Sequence, residues 1–351
     1  MSSSDDKRVT SADIARLVGV SQPTVSRALR GDPRVAADTT ARIQEAATSL
    51  GYVPHAAARS LRSRRSGTVA LVLPDLDNPF YPELLDVLHS ELDRLGLHAV
   101  LVSEKTQKIG DSVVSLLRSE LVDGAIVATA TLDPVTKDLL HDSLGPIVLI
   151  IRDVPGSGRD AVVADNAGGA AMAVRHLLEL GHRRVGAIMG PLDTWTSHQR
   201  IAGFRREMEL AGATRFERSG PYSPEAGYKA CQELLAEDPP PTAIVCGNDA
   251  IALGVLDGAR AAGVDVPGEF SIVGFDDLAI SAWQSFRLTS VRQPLREMAA
   301  RAARMLSDTM AGKLAPTGER VEFPTELVVR GSTGPAPADA DRLSSRPDVS
   351  A

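Results

Sequence analysis

The stretch TSADIARLVGVSQPTVSRAL, residues 10–29, constrains this chain more than any other. It reads as two short helices held at a fixed angle by a tight turn. Ala15 is small enough for a second helix to pack close against the first. Gly19 can end the first helix in the left-handed conformation that a sharp turn needs. Val25 is the buried knob of the second helix, with Ile14, Leu17 and Leu29 completing the apolar face. Ser21 stands where an N-cap is wanted, and Pro23 falls in the first helical turn, where its missing N–H is harmless. This is the helix-turn-helix plan, whose second helix enters a DNA major groove. Its exposed face would carry Gln22, Thr24, Ser26 and Arg27, all hydrogen-bonding side chains. Arg27 has the fork that grips guanine O6 and N7.

The charge distribution agrees. The formal net charge of −7 looks wrong for a DNA binder until the chain is divided. Residues 1–66 carry 11 Lys and Arg against 6 Asp and Glu, and the remainder carries 27 against 39. A basic head on an acidic body is an electrostatic footprint for nucleic acid. A third helix is expected at about 38–50, capped by Asp38, with Ile43, Ala46, Ala47 and Leu50 on one face. Residues 1–50 would form the headpiece and 51–66 a hinge and linker. Within HAAARSLRSRRSG, a hinge helix at about 56–61 is too short to be stable alone and should form on DNA. Ala57 and Ala58 would let two copies approach, leaving Leu61 to wedge between base steps in the minor groove. Arg59, Arg62, Arg64 and Arg65 would face phosphate.

From Gly67 the pattern changes to alternating strand and helix. Apolar runs appear at 69–73, 99–102, 124–128, 147–151, 185–189, 243–246 and 271–275, separated by amphipathic stretches. Such alternation means parallel sheets with helices on both faces. The roughly 265 residues are too many for one sheet, so two similar lobes are expected. LTSVRQP at 288–294, a helix at 295–311 and a strand at 326–330 suggest that the chain recrosses between them. Lobe 1 would hold about 67–163 plus 291–320, and lobe 2 about 164–290 plus 321–334. The tail 335–351 has almost no large apolar residue and should be disordered.

Cys231 and Cys246 are the only cysteines. A disulfide framework is thereby excluded, and buried free thiols fit a reducing compartment. MSSSDDKRVT is no signal peptide, and no apolar run is long enough to span a membrane, so a cytoplasmic protein is expected.

Ligands of open parallel sheets sit at the carboxyl ends of strands. Here those ends carry Phe80 and Tyr81, Arg152 and Asp153, Asn248 and Asp249, and Asp276 and Asp277. Asp193, Thr194, Trp195 and Arg200 follow another strand, Tyr222 opens a helix, and Trp283 lies beyond Asp277. Aromatic faces stack on the C–H faces of a polyhydroxylated molecule while charged groups pair its hydroxyls. Aromatics make up only 4% of the chain, so their clustering at strand ends marks a site.

The chain resembles the lactose-repressor (LacI/GalR) family of transcription regulators over about residues 8–333. The motifs VTSADIARLVGVSQPTVSRAL, LGYVPHAAARSLRS, LPDLDNPFY, QRIAGF, CGNDAIALGVL, IVGFDDL and LTSVRQP occur together in the family's order. The resemblance implies an all-α helix-turn-helix headpiece, a hinge helix and a two-lobed α/β core like periplasmic sugar-binding proteins, assembled as a homodimer or tetramer. It implies DNA contacts from Thr10, Ser21, Gln22, Pro23, Thr24, Ser26 and Arg27, with Leu61 as the inserted hinge leucine. Phe80, Tyr81, Thr196, Arg200, Tyr222, Asn248 and Asp276 match effector-pocket positions. Two departures matter. Gln22-Pro23 replaces a variable pair that helps set operator choice, and Ile151 stands before Arg152 where many members have Asp, removing a hydroxyl acceptor.

The expected function is a ligand-controlled regulator, a repressor binding palindromic double-stranded operator DNA as a dimer, with a sugar as effector. The alternative is a co-repressor-type or activating regulator answering to a purine or nucleoside. A solute-binding protein is disfavoured by the basic head. Catalysis is not expected, since phosphate loop, nucleophile elbow and dinucleotide fingerprint are absent, and Gly168-Gly169 lacks the required spacing. The histidines (55, 89, 98, 141, 176, 182 and 198) lack metal-ligand spacing, so neither metal nor cofactor is expected.

Overall fold

The structure, a computed structural model, describes residues 9–29, 32–52, 66–74, 76–104, 111–119, 121–142 and 145–338. It divides into two units, Met1–Ser66 and Gly67–Ala351. The expected hinge helix, with Ala58, Arg59 and Leu61, lies outside the described residues.

In the first unit, α1 (Ser11–Val18), α2 (Gln22–Ala28) and α3 (Ala37–Ser49) enclose a small core of Ile14, Ala15, Val18, Val25, Ala28, Ile43, Ala46 and Ala47. Asp13 accepts from both the backbone N and the Oγ1 of Thr10, at 2.9 and 2.7 Å, closing the start of α1. Gly19 ends it at φ 75°, its N–H donating to Ala15 O. The Arg42 guanidinium of α3 donates to Val18 O at 2.9 Å, satisfying a terminal carbonyl of α1. Two expectations need correction. Leu17 is 61% exposed, because the buried face is centred on Ile14, Ala15 and Val18, and Leu17 lies about 100° round the helix from Val18. Asp38 sits inside the first turn of α3, and the N-cap is Ala36, whose side chain makes no capping bond.

The second unit holds two six-stranded sheets. Lobe 1 uses β1 (Thr68–Leu73), β2 (His98–Ser103), β3 (Gly124–Val127), β4 (Ile147–Ile150), β5 (Asp160–Ala164) and β11 (Arg320–Phe323), ordered β11-β5-β4-β3-β1-β2. Lobe 2 uses β6 (Arg184–Met189), β7 (Thr214–Ser219), β8 (Ala243–Cys246), β9 (Ser271–Asp276), β10 (Thr289–Arg292) and β12 (Glu326–Val328), ordered β12-β10-β9-β8-β6-β7. Every pairing is parallel except β10 with β12. Central strands are buried on both faces, which is why they read as continuous Val, Ile and Leu runs. Around lobe 1 pack α4 (Phe80–Arg94), α5 (Asp111–Arg118), α6 (Pro134–Asp142) and the late α11 (Leu295–Met310). Lobe 2 is covered by α7 (Asn166–Glu179), α8 (Trp195–Leu210), α9 (Pro224–Leu235) and α10 (Asp249–Ala261).

The chain passes between lobes after β5, between β10 and α11, and between β11 and β12. The lobe boundaries expected at 291 and 321 shift accordingly. All of β10 stays with lobe 2, and β11 completes lobe 1, with Phe323 in register with Ala164. Residues 335–338 are ordered against lobe 2, Ala336 N donating to Leu180 O at 2.8 Å, which corrects the start of the expected disordered tail. His182 helps to hold this segment, its Nε2 lying 3.1 Å from Gly334 O. The lobes also interlock. Trp195 of α8 is buried in a lobe 1 cluster with Val72, Ala130 and Val154. The Arg320 guanidinium lies 5.7 Å over its ring and is paired with Asp153 at 3.3 Å. On another side of the cleft Leu278 enters the lobe 1 core, and Ala279 N donates to Glu83 at 3.0 Å.

Candidate functional sites

The first site is the outer face of α2. Ser21 caps the helix, its Oγ accepting from Thr24 N at 3.3 Å and lying 2.8 Å from Thr24 Oγ1. Val25 and Ala28 turn into the core, which leaves Gln22, Pro23 and Arg27 exposed and Thr24 and Ser26 partly so. Gln22 Nε2 donates to Ser11 Oγ at 2.9 Å, tying α2 to the start of α1. Thr10 and Ser21 are exposed beside them. The face is thus a rigid row of polar groups with one forked cation, the equipment for reading base edges.

The second site lies between the lobes, where a pocket is lined by residues at strand ends and at the starts of the helices that follow them. Lobe 1 supplies Asn78, Phe80, Tyr81, Ile151 and Arg152. Asn78 Oδ1 accepts from Phe80 N at 3.1 Å and starts α4. Phe80 and Tyr81 then meet edge to face, 5.4 Å between centroids. Arg152, just beyond β4, is buried and donates to Tyr81 Oη at 3.3 Å and to Ala130 O at 3.2 Å. Burial pushes the Tyr81 phenol above its ordinary pKa, so it remains a neutral hydroxyl. Ile151 holds a left-handed φ of 69°. For a β-branched residue this is an outlier that costs about 1–3 kcal/mol.

Lobe 2 supplies Thr196, Arg200, Tyr222, Asn248 and Asp276, and Gln293 enters from the crossing between β10 and α11. Thr196 and Arg200 are one turn apart on α8, so they share a face. Tyr222 Oη lies 3.1 Å from Thr196 Oγ1 and 2.8 Å from Ser197 Oγ. Arg200 is buried, with its carbon Cζ 3.6 Å over the Phe275 ring. Its Nε donates to Asn166 Oδ1 at 2.8 Å, Nη1 donates to Gly247 O, and Nη2 lies 3.8 Å from Asp276 Oδ1. Asn248 caps α10 through Ile251 N at 2.9 Å. Asp276, at φ 119°, accepts from Gln293 Nε2 at 2.7 Å. Burial outweighs the Arg200 charge and lifts the Asp276 carboxyl to about 8. Gln293 Oε1 is buried without a hydrogen-bond partner.

Eight of the nine residues expected at the effector site therefore converge on one pocket. The exception is Trp283, which is 61% exposed and does not line it. A short 3₁₀ turn, Ala279–Ala282, carries the chain away from the cleft before Trp283 is reached. Asn78 and Gln293 were not singled out from the sequence; each lies inside a recognisable motif, the first in LPDLDNPFY and the second in LTSVRQP. Asp249 and Asp277, also candidates, serve the scaffold. Asp249 accepts from Leu278 N, Ser281 Oγ and Ser290 Oγ at 2.6–2.9 Å, and Asp277 pairs with Arg292 and Arg330.

Both cysteines are buried free thiols. Burial raises Cys231 to about 12 and Cys246 well above the ordinary value, so neither is a nucleophile at neutral pH. No cluster of potential metal ligands occurs among the described residues, and no helix among them is long and apolar enough to cross a membrane.

Comparison with known proteins shows which regulators the chain is similar to. Residues 10–55 match the family described as bacterial regulatory proteins of the lacI type, and residues 174–333 match a periplasmic binding protein-like domain. The HTH-type transcriptional regulator DegA of Bacillus subtilis is 34% identical over 335 residues, covering 93% of this chain and 99% of the relative. The lac repressor dimer bound to operator and the anti-inducer ONPF superposes with a TM-score of 0.84 at 25% identity, covering 93% of this chain and all of that one. The complex of the transcriptional regulator CelR with cellobiose gives 0.70 at 30% identity, covering 93% of this chain and all of that one.

Proposed function

We propose, from the premise that this chain belongs to the LacI family of bacterial regulatory proteins, that it is a dimeric repressor released from a palindromic operator by a small hydroxylated effector. It is a ligand-responsive, DNA-binding transcription regulator and not an enzyme. The observation that carries the effector reading is the convergence of Asp276, Arg200 and Asn248 with three aromatic rings in one inter-lobe pocket. Acceptors and donors pair hydroxyls while rings cover C–H faces, the chemistry of a sugar-like ligand. CelR in complex with cellobiose supports a sugar.

On DNA, Gln22, Pro23, Thr24, Ser26 and Arg27 face the major groove, with Thr10 and Ser21 towards phosphate. From the sequence, Leu61 is assigned to the minor groove, Ala58 to the approach of the two hinges and Arg59 to phosphate. The dimer is supported by the lac repressor dimer and by exposed Val100 and Leu101 on β2, an edge strand. Trp283, exposed and aromatic, suits such an interface better than the cleft. Effector binding changes how the lobes meet, and that change couples the cleft reciprocally to the operator-binding state.

A thermal-shift screen against sugars, sugar phosphates, nucleosides and purines tests the cleft, followed by operator binding on the chain's own upstream region with each hit. A hit that weakens DNA binding supports the inducible repressor. A hit that tightens it keeps the cleft and reverses the polarity. Arg27→Ala should cost about 1–3 kcal/mol of specific over non-specific binding. Equal loss on random DNA would mark Arg27 as a phosphate contact.

A further inference from the structure

The hydroxyl of Ser11 serves a helix other than its own. Ser11 is the first residue of α1, but the start of α1 is closed without it, by the bonds between Thr10 and Asp13. Its Oγ instead accepts from Nε2 of Gln22, the first residue of α2, at 2.9 Å. The two residues are 11 apart in sequence, and the turn at Gly19 brings them together.

That bond decides what Gln22 has left to offer. A glutamine amide carries two N–H donors and one carbonyl acceptor. With one N–H given to Ser11, Gln22 keeps an N–H and Oε1, an adjacent donor and acceptor that match N7 and the N6 amino group of adenine. The opposite arrangement, with Ser11 donating to Oε1, would leave two donors, which match O6 and N7 of guanine. The next two residues of α2 do not share the task. Pro23 has no polar side-chain atom, and Thr24 Oγ1 is already engaged with Ser21 Oγ at 2.8 Å. Holding a long side chain in advance also removes rotamer freedom that DNA binding would otherwise have to remove.

We propose that Ser11 is a positioning residue for operator recognition: it presents the Gln22 amide so that each headpiece selects adenine at one base pair of its half-site. This inference rests on α2 being the helix that reads base edges.

The test is selection of binding sites by the full chain from a randomised duplex DNA library, followed by titration of single-base variants of the selected site. One base pair should lose its preference in Gln22→Ala, and the wild type should favour adenine there by about tenfold. Ser11→Ala should reduce that preference by about threefold or more while preferences at the other pairs hold. Ser11→Thr, which keeps the hydroxyl, should retain it, and Ser11→Ala added to Gln22→Ala should change nothing further. Guanine at the Gln22 pair would mean the opposite amide arrangement and overturns the inference. Equal loss on all sequences in Ser11→Ala also overturns it, since Ser11 would then be a phosphate contact. A preference lost in Ser11→Thr as well as in Ser11→Ala overturns it too. Each of these results leaves α2 standing as the reading helix. If Gln22→Ala and Arg27→Ala alter no base preference, the reading of α2 fails and this inference fails with it.

Discussion

The two lobes share one sheet order and differ in how they are held together. Lobe 2 is packed backbone to backbone. A Cβ on Gly203 would strike Ala167 O of α7, one on Gly227 would strike Ile251 O of α10, and one on Gly254 would strike Pro224 O of α9. Lobe 1 packs by side chains, with Leu84, Leu88 and Leu92 of α4 against Met298, Ala302 and Leu306 of α11. Their edges differ too. In β7 of lobe 2, Arg215, Glu217 and Arg218 are tied into ion pairs with neighbours that include Arg205, Glu233 and Glu237. Val100 and Leu101 of β2 in lobe 1 are 44% and 40% exposed. A charged edge resists strand addition and an apolar one invites a partner. Lobe 2 is therefore the more tightly fixed frame with a charged edge, and lobe 1 is held together by side chains and leaves an apolar edge exposed.

The sharpest way to break this contrast is to overfill a close approach in lobe 2. Gly254→Leu should cost about 3 kcal/mol or more in denaturant unfolding, since backbone has nowhere to move. A loss near zero would show that the α9–α10 contact can open. Next is Asp276→Asn, expected to cost about 1.5–3 kcal/mol of effector affinity by titration calorimetry while operator binding is retained. It also carries a pH signature. A carboxyl whose folded pKa is raised from 3.8 to about 8 stabilises fully below the lower value, and that stabilisation is lost as pH rises towards the upper one. The wild type should therefore lose stability relative to Asp276→Asn across that window, and parallel stability curves would remove the argument. The smallest effects belong to the edges. Val100→Asp should shift the chain from dimer to monomer in light scattering with little change in protomer stability. Arg218→Ala should alter neither assembly nor stability by more than about 1 kcal/mol.

How far the sequence revealed this follows largely from burial. The doubly buried strands β1, β3, β4, β6, β8 and β9 stand out as apolar runs. Strands β5, β7 and β11 did not. The first is buried throughout and its Ala-Val-Val-Ala run was passed over, so burial does not explain it; Arg215 and Glu217 interrupt the second, and the third is Arg-Val-Glu-Phe at a solvated edge. Pocket residues that follow apolar strands were legible by position, as Arg152, Asn248 and Asp276 illustrate. Gln293 was not, because it lies on a crossing segment whose destination only the tertiary fold decides. Trp283 looked like a pocket aromatic because no sequence signal fixes the direction in which a 3₁₀ turn sends the chain. The positive φ of Ile151 was likewise invisible, since isoleucine is the last residue such a backbone would suggest.

The lobe-spanning position of Trp195 has an optical consequence. The chain has two tryptophans, one sealed between the lobes under a guanidinium and the other open to water at position 283. Their emission should separate into a blue and a red component, with iodide quenching only the red. Any movement that draws α8 out of lobe 1 would wet the sealed indole and merge the two. The protein thus carries an internal fluorophore that would report the proposed change in how the lobes meet, and Trp283→Phe would leave that signal alone on a dark background.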